Sequence, residues 1–157
     1  MTDPIISACH CKGSSGDIHL KCLQVWLNSK RKVNELSNFQ FNYIYKKSQC
    51  EVCGALYPDM IEYKGQLFPI FDFDRPKKSH YMVFEVLGMP SGKNFSVVKV
   101  PDDYTLEIGR SNAEICVPDV SVSKKQATLK LDLQLGELVL QDNKSKYGTH
   151  LMIQRPV

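Results

Sequence analysis

The sequence lacks both the long apolar runs and the leader-like start that would direct a protein into or across a membrane. No stretch of about 18 apolar residues occurs in the 157-residue chain, which excludes a membrane-spanning helix. Residues 1–8 contain no lysine or arginine, and their apolar stretch is too short for a secretory signal. We therefore expect an intracellular protein, cytoplasmic or nuclear, that does not contact a membrane. We expect no nucleic-acid partner either.

The chain also has no internal repeat and no low-complexity tract. Hydrophobic residues make up 43% of it and charged residues 24%, which is the composition of a globular protein. The length fits one medium domain or two small ones. The net charge of +3 suits a phosphorylated partner and an ordinary solvated surface equally well, so charge alone does not indicate a function.

The distribution of the cysteines predicts the domain organisation. Without a secretory signal, six cysteines favour thiolates or metal ligands over a disulfide framework. Five of them precede residue 54, whereas Cys116 stands alone in a strand-like segment, where a core position is its simplest role. We predict an α+β protein of two small modules: a zinc module at 1–61, a connecting segment at 62–79 and an antiparallel β-sandwich at 80–157. The connecting segment is apolar, so we expect it to pack on one of the modules.

The first module contains one segment with helical periodicity, residues 18–30. Four apolar side chains recur there at three- and four-residue spacing and share one face: Leu20, Leu23, Trp26 and Leu27. Asp17 precedes the segment, and aspartate is a favoured N-cap residue. The pattern predicts a helix over 18–30 that is capped by Asp17.

The sequence of the second module predicts short strands separated by Gly, Pro, Asn or Asp. Strands are predicted at 81–87, 95–100, 104–108 and 113–117. A longer alternation of leucine with polar residues runs from Leu129 to Leu135, through Leu131 and Leu133, and resumes after Gly136 at 137–141. This pair predicts a hairpin, and many short strands at close spacing predict a β-sandwich.

Close pairs of cysteines separated by longer loops are the pattern of a zinc site. Cys9 and Cys11 form one pair, and Cys50 and Cys53 form another. Two ligands on one tight turn are ordered together, and four thiolates complete a tetrahedron around zinc. His19 and Cys22 form a further pair, at helical spacing.

The run Ser7-Ala8-Cys9-His10-Cys11-Lys12-Gly13-Ser14, together with Ile18-His19, Cys22-Leu23, Trp26-Leu27 and Cys50-Glu51-Val52-Cys53-Gly54, resembles the RING-CH variant of the RING finger. The resemblance covers roughly residues 5–60. It implies eight ligands that hold two zinc ions in a cross-braced order. Cys9, Cys11, Cys50 and Cys53 would form one complete site.

The resemblance also implies a second, incomplete site. His19 and Cys22 correspond to the fifth and sixth ligands of the family, whose partners would be a Cys-x-x-Cys pair before Cys9. That pair is absent, so we expect one zinc per chain, in either a fragment of a longer protein or a single-zinc module. The family's tryptophan contributes to a groove for a ubiquitin-conjugating enzyme, and here Trp26 has that role or is a core aromatic.

Three later segments carry cations and hydroxyls at the ends of predicted strands. They are Leu106-Glu107-Ile108-Gly109-Arg110, Val120-Ser121-Val122-Ser123-Lys124-Lys125-Gln126 and Asp142-Asn143-Lys144-Ser145-Lys146-Tyr147-Gly148-Thr149. Loops of a sandwich cluster at its ends, so these segments can converge. Charge-assisted donors such as the arginine fork bind phosphate, and hydroxyl and backbone N–H groups complete such a site.

These segments, within about residues 80–157, resemble the forkhead-associated (FHA) domain, whose signature is Gly-Arg, then Ser-x-x-His, then Asn-Gly-Thr. The resemblance implies that Arg110 and Ser123 contact a phosphothreonine, with help from Lys124 and Lys146. Gly109 and Gly148 would shape the loops.

The sequence departs from this signature at two positions. Gln126 replaces a histidine that braces the loop, and glutamine can both donate and accept hydrogen bonds. Tyr147 replaces an asparagine that holds the peptide backbone. Tyrosine lacks the paired donor and acceptor of an amide, so we expect the orientation of the peptide to be affected more than the phosphate contact. The chain also stops before the family's last strands would be complete, and we expect a sandwich that lacks them.

The two resemblances together predict a phosphothreonine-peptide-binding adaptor with an attached zinc-binding RING-CH-like module. The alternatives are a RING-type E3 ubiquitin-protein ligase that selects phosphorylated substrates through its FHA domain, or a degenerate remnant of one. The expected partners are phosphothreonine-containing proteins and, for a ligase, a ubiquitin-conjugating enzyme. RING ligases position a charged conjugating enzyme, so no catalytic residue is predicted in either case.

Overall fold

The structure is a computed structural model that describes residues 3–87, 92–102 and 104–150. Residues 151–157 of the predicted sandwich lie outside this range. The described residues are mostly β, with one α-helix. The chain divides into two compact units. Unit 1 comprises Met1–Asn34, Asn42–Arg75 and Phe84–Ser96, and unit 2 comprises Glu35–Phe41, Pro76–Val83 and Val97–Val157.

The strands are short and are numbered in chain order. They are β1 (Ile5–Ile6), β2 (Ile18–His19), β3 (Arg31–Ser37), β4 (Gln40–Tyr45), β5 (Met60–Tyr63), β6 (Gln66–Pro69), β7 (His80–Glu85), β8 (Lys93–Val100), β9 (Thr105–Gly109), β10 (Ile115–Cys116), β11 (Ala127–Asp132) and β12 (Glu137–Asp142). The helix α1 spans Leu20–Ser29. Two sheets have four strands each, in the orders β3-β4-β8-β7 and β10-β9-β11-β12, and β1-β2 and β5-β6 form two-stranded sheets.

The predicted helix is present but starts later than expected. Ile18 and His19 pair with β1 as the strand β2, so the N-cap position falls on His19, which makes no side-chain cap hydrogen bond. The prediction that Asp17 caps the helix is wrong, because its carboxylate accepts a hydrogen bond from the Ser7 hydroxyl at 2.6 Å. The predicted apolar face is confirmed by three leucines that α1 buries: Leu20, Leu23 and Leu27.

The segment predicted as a connection supplies much of the core of unit 1. Ile70, Phe71 and Phe73 are buried. The rings of Phe71 and Phe73 lie 5.5 and 5.2 Å from the ring of Phe95, and Tyr45 packs edge-on against Phe71 at 5.0 Å. These aromatic rings of the apolar segment therefore pack with Tyr45 and Phe95 inside unit 1. The sequence analysis missed the four strands β3 to β6, which lack a clear alternation of apolar and polar residues.

Unit 2 is built around the sheet β10-β9-β11-β12. β11 pairs antiparallel with β9, so that Leu129 lies opposite Leu106, and β10 pairs with β9 in parallel. The core combines Leu106, Ile115 and Leu129 of this sheet with Val98 and Val100 of β8. Apolar side chains thus fill the space between strands of two sheets. The predicted fold class, a mostly β protein with one helix, a zinc module and a sandwich, is confirmed.

The predicted hairpin of β11 and β12 is confirmed, but its first strand is shorter than predicted. β11 ends at Asp132, which lies opposite Glu137. The Asp132 carboxylate accepts hydrogen bonds from the N–H groups of Gln134 and Leu135, both at 3.0 Å, and so starts a turn. Leu133 and Leu135 are therefore exposed residues of the turn and do not belong to a buried apolar face of the sheet.

Candidate functional site

Four cysteine sulfurs from two loops meet in unit 1. Cys9 and Cys11 follow β1, whereas Cys50 and Cys53 lie between β4 and β5. The four Sγ atoms all lie within 4.8 Å of one another. The structure therefore brings the four predicted ligands together, although 39 positions separate Cys11 from Cys50.

The spacing of these sulfurs fits a tetrahedral zinc ion. With Zn–S bonds of roughly 2.3 Å, the sulfurs of a tetrahedral site lie about 3.8 Å apart. The Sγ atoms of Cys11 and Cys50 are 3.7 Å apart, which matches one edge of such a tetrahedron. Four cysteine thiolates are also a ligand set typical of structural zinc. The cluster is consistent with zinc binding.

The turn that carries Cys50 and Cys53 stabilises negative charge on its sulfurs. Backbone N–H groups of Cys53 and Val52 lower the pKa of the Cys50 thiol to about 6. The N–H of Ala55 likewise lowers the pKa of the Cys53 thiol. Gly54 completes the turn at φ +72°, a conformation that favours glycine, and its N–H donates to the Cys50 carbonyl at 2.9 Å. Zinc binds thiolates, so this turn favours metal binding.

The other cysteine pair shows why a cation is needed. Hydrogen bonding to the Cys9 sulfur raises the pKa of the Cys11 thiol to about 12. Four sulfurs at this separation cannot all carry a negative charge unless a cation lies among them. The pKa of the Cys11 thiol is thus raised and that of the Cys50 thiol lowered.

The zinc turn is connected to the helix α1 through the only tryptophan of the chain. Lys30 forms an ion pair with Glu51 at 2.8 Å, and its Nζ lies 4.1 Å from the centre of the Trp26 ring. The Trp26 ring also packs edge-on against the ring of Tyr57, with 6.4 Å between the two ring centroids. Trp26 is half-buried, with Lys30 and Tyr57 against its ring.

Three loops of unit 2 meet around Ser123. The backbone N–H of Arg110 donates to the Ser123 carbonyl at 3.0 Å, and the N–H of Lys146 donates to the Ser123 hydroxyl at 3.0 Å. Lys124 is the next residue along the chain. Arg110 and Lys146 thus contact Ser123 through their backbones, and Lys124 adjoins it. The described residues give the guanidinium of Arg110 no ion-pair partner. This is a combination of donors suited to a phosphate.

Gly109 allows two of these loops to approach closely. A Cβ atom at this position would lie 1.9 Å from the backbone oxygen of Lys124. Any side chain would therefore push the Lys124 backbone away, and with it the segment that contains Ser123. The two segments therefore meet closely at Gly109, the residue that was predicted to shape its loop.

Gln126 joins the Ser123 loop to the loop that follows β12 through its side-chain amide. Its Oε1 accepts the N–H of Ser123 at 2.9 Å. Its Nε2 donates to the Ser145 hydroxyl at 2.9 Å, to the Gly148 carbonyl at 3.0 Å and to the Thr149 hydroxyl at 3.1 Å. A glutamine can therefore form the brace for which the sequence analysis required both a donor and an acceptor.

The last loop is held by Asp142 and ends in an exposed aromatic residue. Asp142 Oδ1 accepts the hydroxyls of Ser145 and Thr149 at 2.6 and 2.7 Å. Tyr147 is 61% exposed, and Lys146 Nζ lies 5.0 Å from the centre of its ring. Gly148 follows at φ +79°. Tyr147 is thus available to a ligand, together with the cation above its ring.

Comparison with protein-family models gives two matches. A model described as a RING-variant domain matches residues 1–53, and one described as an FHA domain matches residues 106–156. The chain carries a RING-variant domain followed by an FHA domain. No curated protein and no solved structure matches the chain. FHA domains bind phosphothreonine peptides, and the loops around Ser123 lie within the matched range.

The RING-variant domain leaves two predicted ligands apart from the cysteine cluster. His19 and Cys22 are both exposed. His19 is the last residue of β2, directly before α1, and Cys22 lies on α1. Among the described residues, neither belongs to a group of three or more ligand side chains.

The sequence analysis missed several residues that support the two domains. In the RING-variant domain these are Tyr57, Lys30 and Glu51, which are far apart in sequence and gave no signal. In the FHA domain, Asp142 and Ser145 were part of the quoted motif, but the hydrogen bond from the Ser145 hydroxyl to the Asp142 carboxylate was not predicted. Cys116 was expected in the core, but it is only half-buried, and its Sγ donates to the Arg110 carbonyl at 3.2 Å.

Within the described residues, α1 is too short and too polar to cross a membrane.

Proposed function

We propose that this chain is a phosphothreonine-peptide-binding adaptor, whose RING-variant domain is held by one structural zinc ion. The observation that carries the proposal is the convergence of Arg110, Ser123 and Lys146 through two 3.0 Å hydrogen bonds. In this proposal Arg110 provides a charge-assisted fork to the phosphate, and the Ser123 hydroxyl contacts a phosphate oxygen. Lys124 and Lys146 add charge, while Gly109, Gln126 and Gly148 hold the loops in shape.

The role of Tyr147 follows from its exposure. A tyrosine lacks the paired donor and acceptor of an asparagine amide, so it cannot hold a peptide backbone in the same way. Its exposed ring can pack against a peptide side chain instead. We propose that Tyr147 contributes apolar contact and that phosphate binding depends on the cations.

Arg110→Ala tests the adaptor function. A hydrogen bond to a charged group contributes about 1.5–3 kcal/mol, so this change should weaken binding of a phosphothreonine peptide by roughly 10- to 150-fold. Lys130→Ala is the matched control, because Lys130 is an exposed cation in β11, outside the three loops. Calorimetric titration with phosphorylated and plain peptides measures both effects. Equal affinity for the two peptides would refute the proposal.

A second candidate function, a RING-type ubiquitin ligase, is favoured by one feature of the helix. Val25 is 69% exposed on α1, next to Trp26, whose ring Lys30 and Tyr57 hold in place. We propose this surface as the docking point for a ubiquitin-conjugating enzyme. It would make the chain an E3 that selects phosphorylated substrates through the FHA domain.

Autoubiquitination with a panel of conjugating enzymes tests this second function. Because the His19 and Cys22 pair stands apart from the cysteine cluster, we expect weak activity at most. Activity that is lost in Val25→Arg but retained in Leu67→Arg would support the docking point, since Leu67 is an equally exposed apolar residue elsewhere in unit 1. Equal activity of both variants and the wild type would refute it.

A further inference from the structure

One segment from the first third of the sequence lies in unit 2. The strands β3 and β4 come between the two cysteine pairs of the zinc cluster, but the turn that joins them belongs, with its flanks, to unit 2 as Glu35–Phe41. This segment precedes residues 106–156, the range that the FHA model matches. Unit 2 thus combines the FHA loops with residues from a distant part of the chain.

Two side chains hold this segment against the rest of unit 2. The ring of Phe39 stacks on the ring of Tyr104, with 5.7 Å between the ring centroids, and packs against the apolar core of the unit. The Ser37 hydroxyl donates to the Glu114 carbonyl at 2.6 Å. Because Glu114 directly precedes β10, these contacts place the segment beside that strand.

Gln40 is the buried polar residue of the segment. It is 3% exposed, and its amide faces the backbone of Cys116. The Cys116 N–H donates to Gln40 Oε1 at 2.7 Å, and Gln40 Nε2 donates to the Cys116 carbonyl at 3.2 Å. The strand β10 lies at the edge of its sheet, next to β9. The amide of Gln40 therefore supplies the donor and the acceptor that a neighbouring strand would supply to Cys116.

The strand β10 in turn contacts the backbone that carries Arg110. Cys116 lies opposite Gly109 in the parallel pairing of β10 with β9, and the Val117 N–H donates to the Gly109 carbonyl at 2.9 Å. The Cys116 Sγ donates to the Arg110 carbonyl at 3.2 Å. Gln40 thus holds one side of β10, while the other side holds Gly109 and Arg110.

These contacts fix the Arg110 backbone at both of its polar groups. The Ser123 carbonyl accepts the Arg110 N–H at 3.0 Å, and the Cys116 thiol contacts the Arg110 carbonyl. A hydrogen bond weakens steeply when its donor is misdirected, so a guanidinium binds phosphate best from a fixed backbone. A looser loop would lower the affinity, because ligand binding would then have to order it.

We propose that Gln40 is a positioning residue for phosphothreonine binding, which acts on Arg110 through Cys116. This inference rests on the proposed phosphate contact of Arg110. It extends that site to a residue that lies 76 positions before Cys116 and outside the FHA match.

The test is calorimetric titration of the zinc-loaded full chain with a phosphothreonine peptide and with its unphosphorylated form. Gln40→Met fills a similar space without the two bonds to Cys116, so it should weaken phosphopeptide binding by roughly three- to tenfold. Binding of the unphosphorylated peptide should stay unchanged, because Arg110 acts on the phosphate.

Ser37→Ala is the matched control. It removes a hydrogen bond from the same segment to Glu114, which does not contact Arg110 among the described residues, so the preference for the phosphopeptide should be that of the wild type. A loss as large as that of Gln40→Met would overturn the inference, because any loosening of the segment would then have the same effect.

A double-mutant cycle separates positioning from a general loss of stability. In the Arg110→Ala background, Gln40→Met should change the phosphopeptide affinity by less than about twofold, since the group that Gln40 positions is gone. A loss as large as in the wild-type background would overturn the inference, because Gln40 would then act on another part of the site.

Variants of Cys116 test the second contact and leave Gln40 in place. Cys116→Ala removes the thiol contact with Arg110 and should weaken phosphopeptide binding by about two- to threefold, since a thiol is a weak donor. Cys116→Ser restores a donor and should recover the wild-type affinity. If Gln40→Met does not fold, these variants decide: wild-type affinity in Cys116→Ala would overturn the route through Cys116 and with it the inference.

The outcomes separate this inference from the proposed function. If the wild type binds the phosphopeptide more tightly than the plain peptide and Gln40→Met does so equally well, the inference alone is overturned. Equal binding of both peptides by the wild type would overturn the phosphothreonine site and the inference together.

Discussion

In the zinc cluster the ligands come from two distant loops and meet at their sulfur atoms, whereas the three loops around Ser123 are joined to one another by direct hydrogen bonds. The four Sγ atoms of the cluster lie within 4.8 Å of one another, and four thiolates at that separation repel one another unless a cation lies among them. The FHA loops are instead held together by hydrogen bonds of Gln126 and Asp142. The cluster is thus held through what its sulfurs bind, whereas the FHA loops are held through bonds between their own residues.

The largest effect should come from breaking the zinc cluster with Cys50→Ser. Structural zinc contributes on the order of 10–16 kcal/mol to the folding of small zinc domains, so losing one ligand should remove the metal and the order of the RING-variant domain. Elemental analysis should give about one zinc per wild-type chain and far less for the variant. Trp26 fluorescence should change in parallel, because Trp26 contacts Tyr57 beside the cluster.

Cys22→Ser is the matched control for this prediction. Cys22 is exposed and stands outside the cluster, so zinc content and fluorescence should remain those of the wild type. Full zinc content in Cys50→Ser would mean that Cys50 is not a ligand.

The next largest effect should come from Gly109→Ala in the FHA loops. The added Cβ would lie 1.9 Å from the Lys124 backbone oxygen, and only a backbone shift relieves such an overlap. We expect a loss of about 3 kcal/mol in the free energy of unfolding and a matching loss of phosphopeptide binding. Denaturant unfolding measures the first quantity. Wild-type stability would show that the loops approach less closely than described.

Gln126→Ala should have a smaller effect and sharpens the comparison, because it removes the brace without adding bulk. Four hydrogen bonds are lost at a partly exposed site, and we expect a loss of about 2 kcal/mol in the free energy of unfolding. Gln126→His, the residue of the FHA signature, should recover part of that loss. If both variants cost the same, the loops are held by other contacts.

The smallest effect should appear at acid pH, through Asp142. Hydrogen bonds from the hydroxyls of Ser145 and Thr149 lower the pKa of this carboxyl below its usual range. A carboxyl whose pKa is lower in the folded than in the unfolded state stabilises the fold above the unfolded pKa of about 3.9, and this stabilisation is lost as the pH falls through the folded pKa.

Asp142→Asn should therefore flatten the decline in stability below about pH 4 and lower the stability at pH 7. Unfolding midpoints measured from pH 2 to 7 for both proteins check this. Asp132→Asn is a useful comparison, because Asp132 also accepts two backbone N–H groups in a turn but lies outside the FHA loops. Parallel pH profiles for wild type and Asp142→Asn would contradict the assignment.

Much of the fold could be predicted wherever one period dominated the sequence. The face of α1 with Leu20, Leu23 and Leu27 followed from three- and four-residue spacing, and the β11–β12 hairpin followed from alternation. The prediction was wrong where a side chain overrode the period. Asp132 ends β11 by accepting two N–H groups, although the leucine pattern continues to Leu135. The strands β3 to β6 were missed because apolar and polar residues do not alternate clearly along them.

The candidate sites divide in the same way. Spacing indicated the four cysteines of the zinc cluster, and the order of three motifs indicated Arg110, Ser123 and Gly109. The sequence could not indicate that Tyr57 and Lys30 would contact the Trp26 ring. Nor could it indicate that the Cys116 sulfur would contact the Arg110 carbonyl at 3.2 Å. Such contacts depend on how loops from different parts of the chain pack together.

The sequence by itself determined the chemistry of both sites: four sulfurs for a metal, and a cluster of cations and hydroxyls for a phosphate. The tertiary structure decided which ligands meet, since Cys9, Cys11, Cys50 and Cys53 converge while His19 and Cys22 stand apart. It also decided that a glutamine can brace the FHA loops. The physical reason is that residue type sets which bonds can form, whereas the packed backbone sets the distances that decide which of them do form.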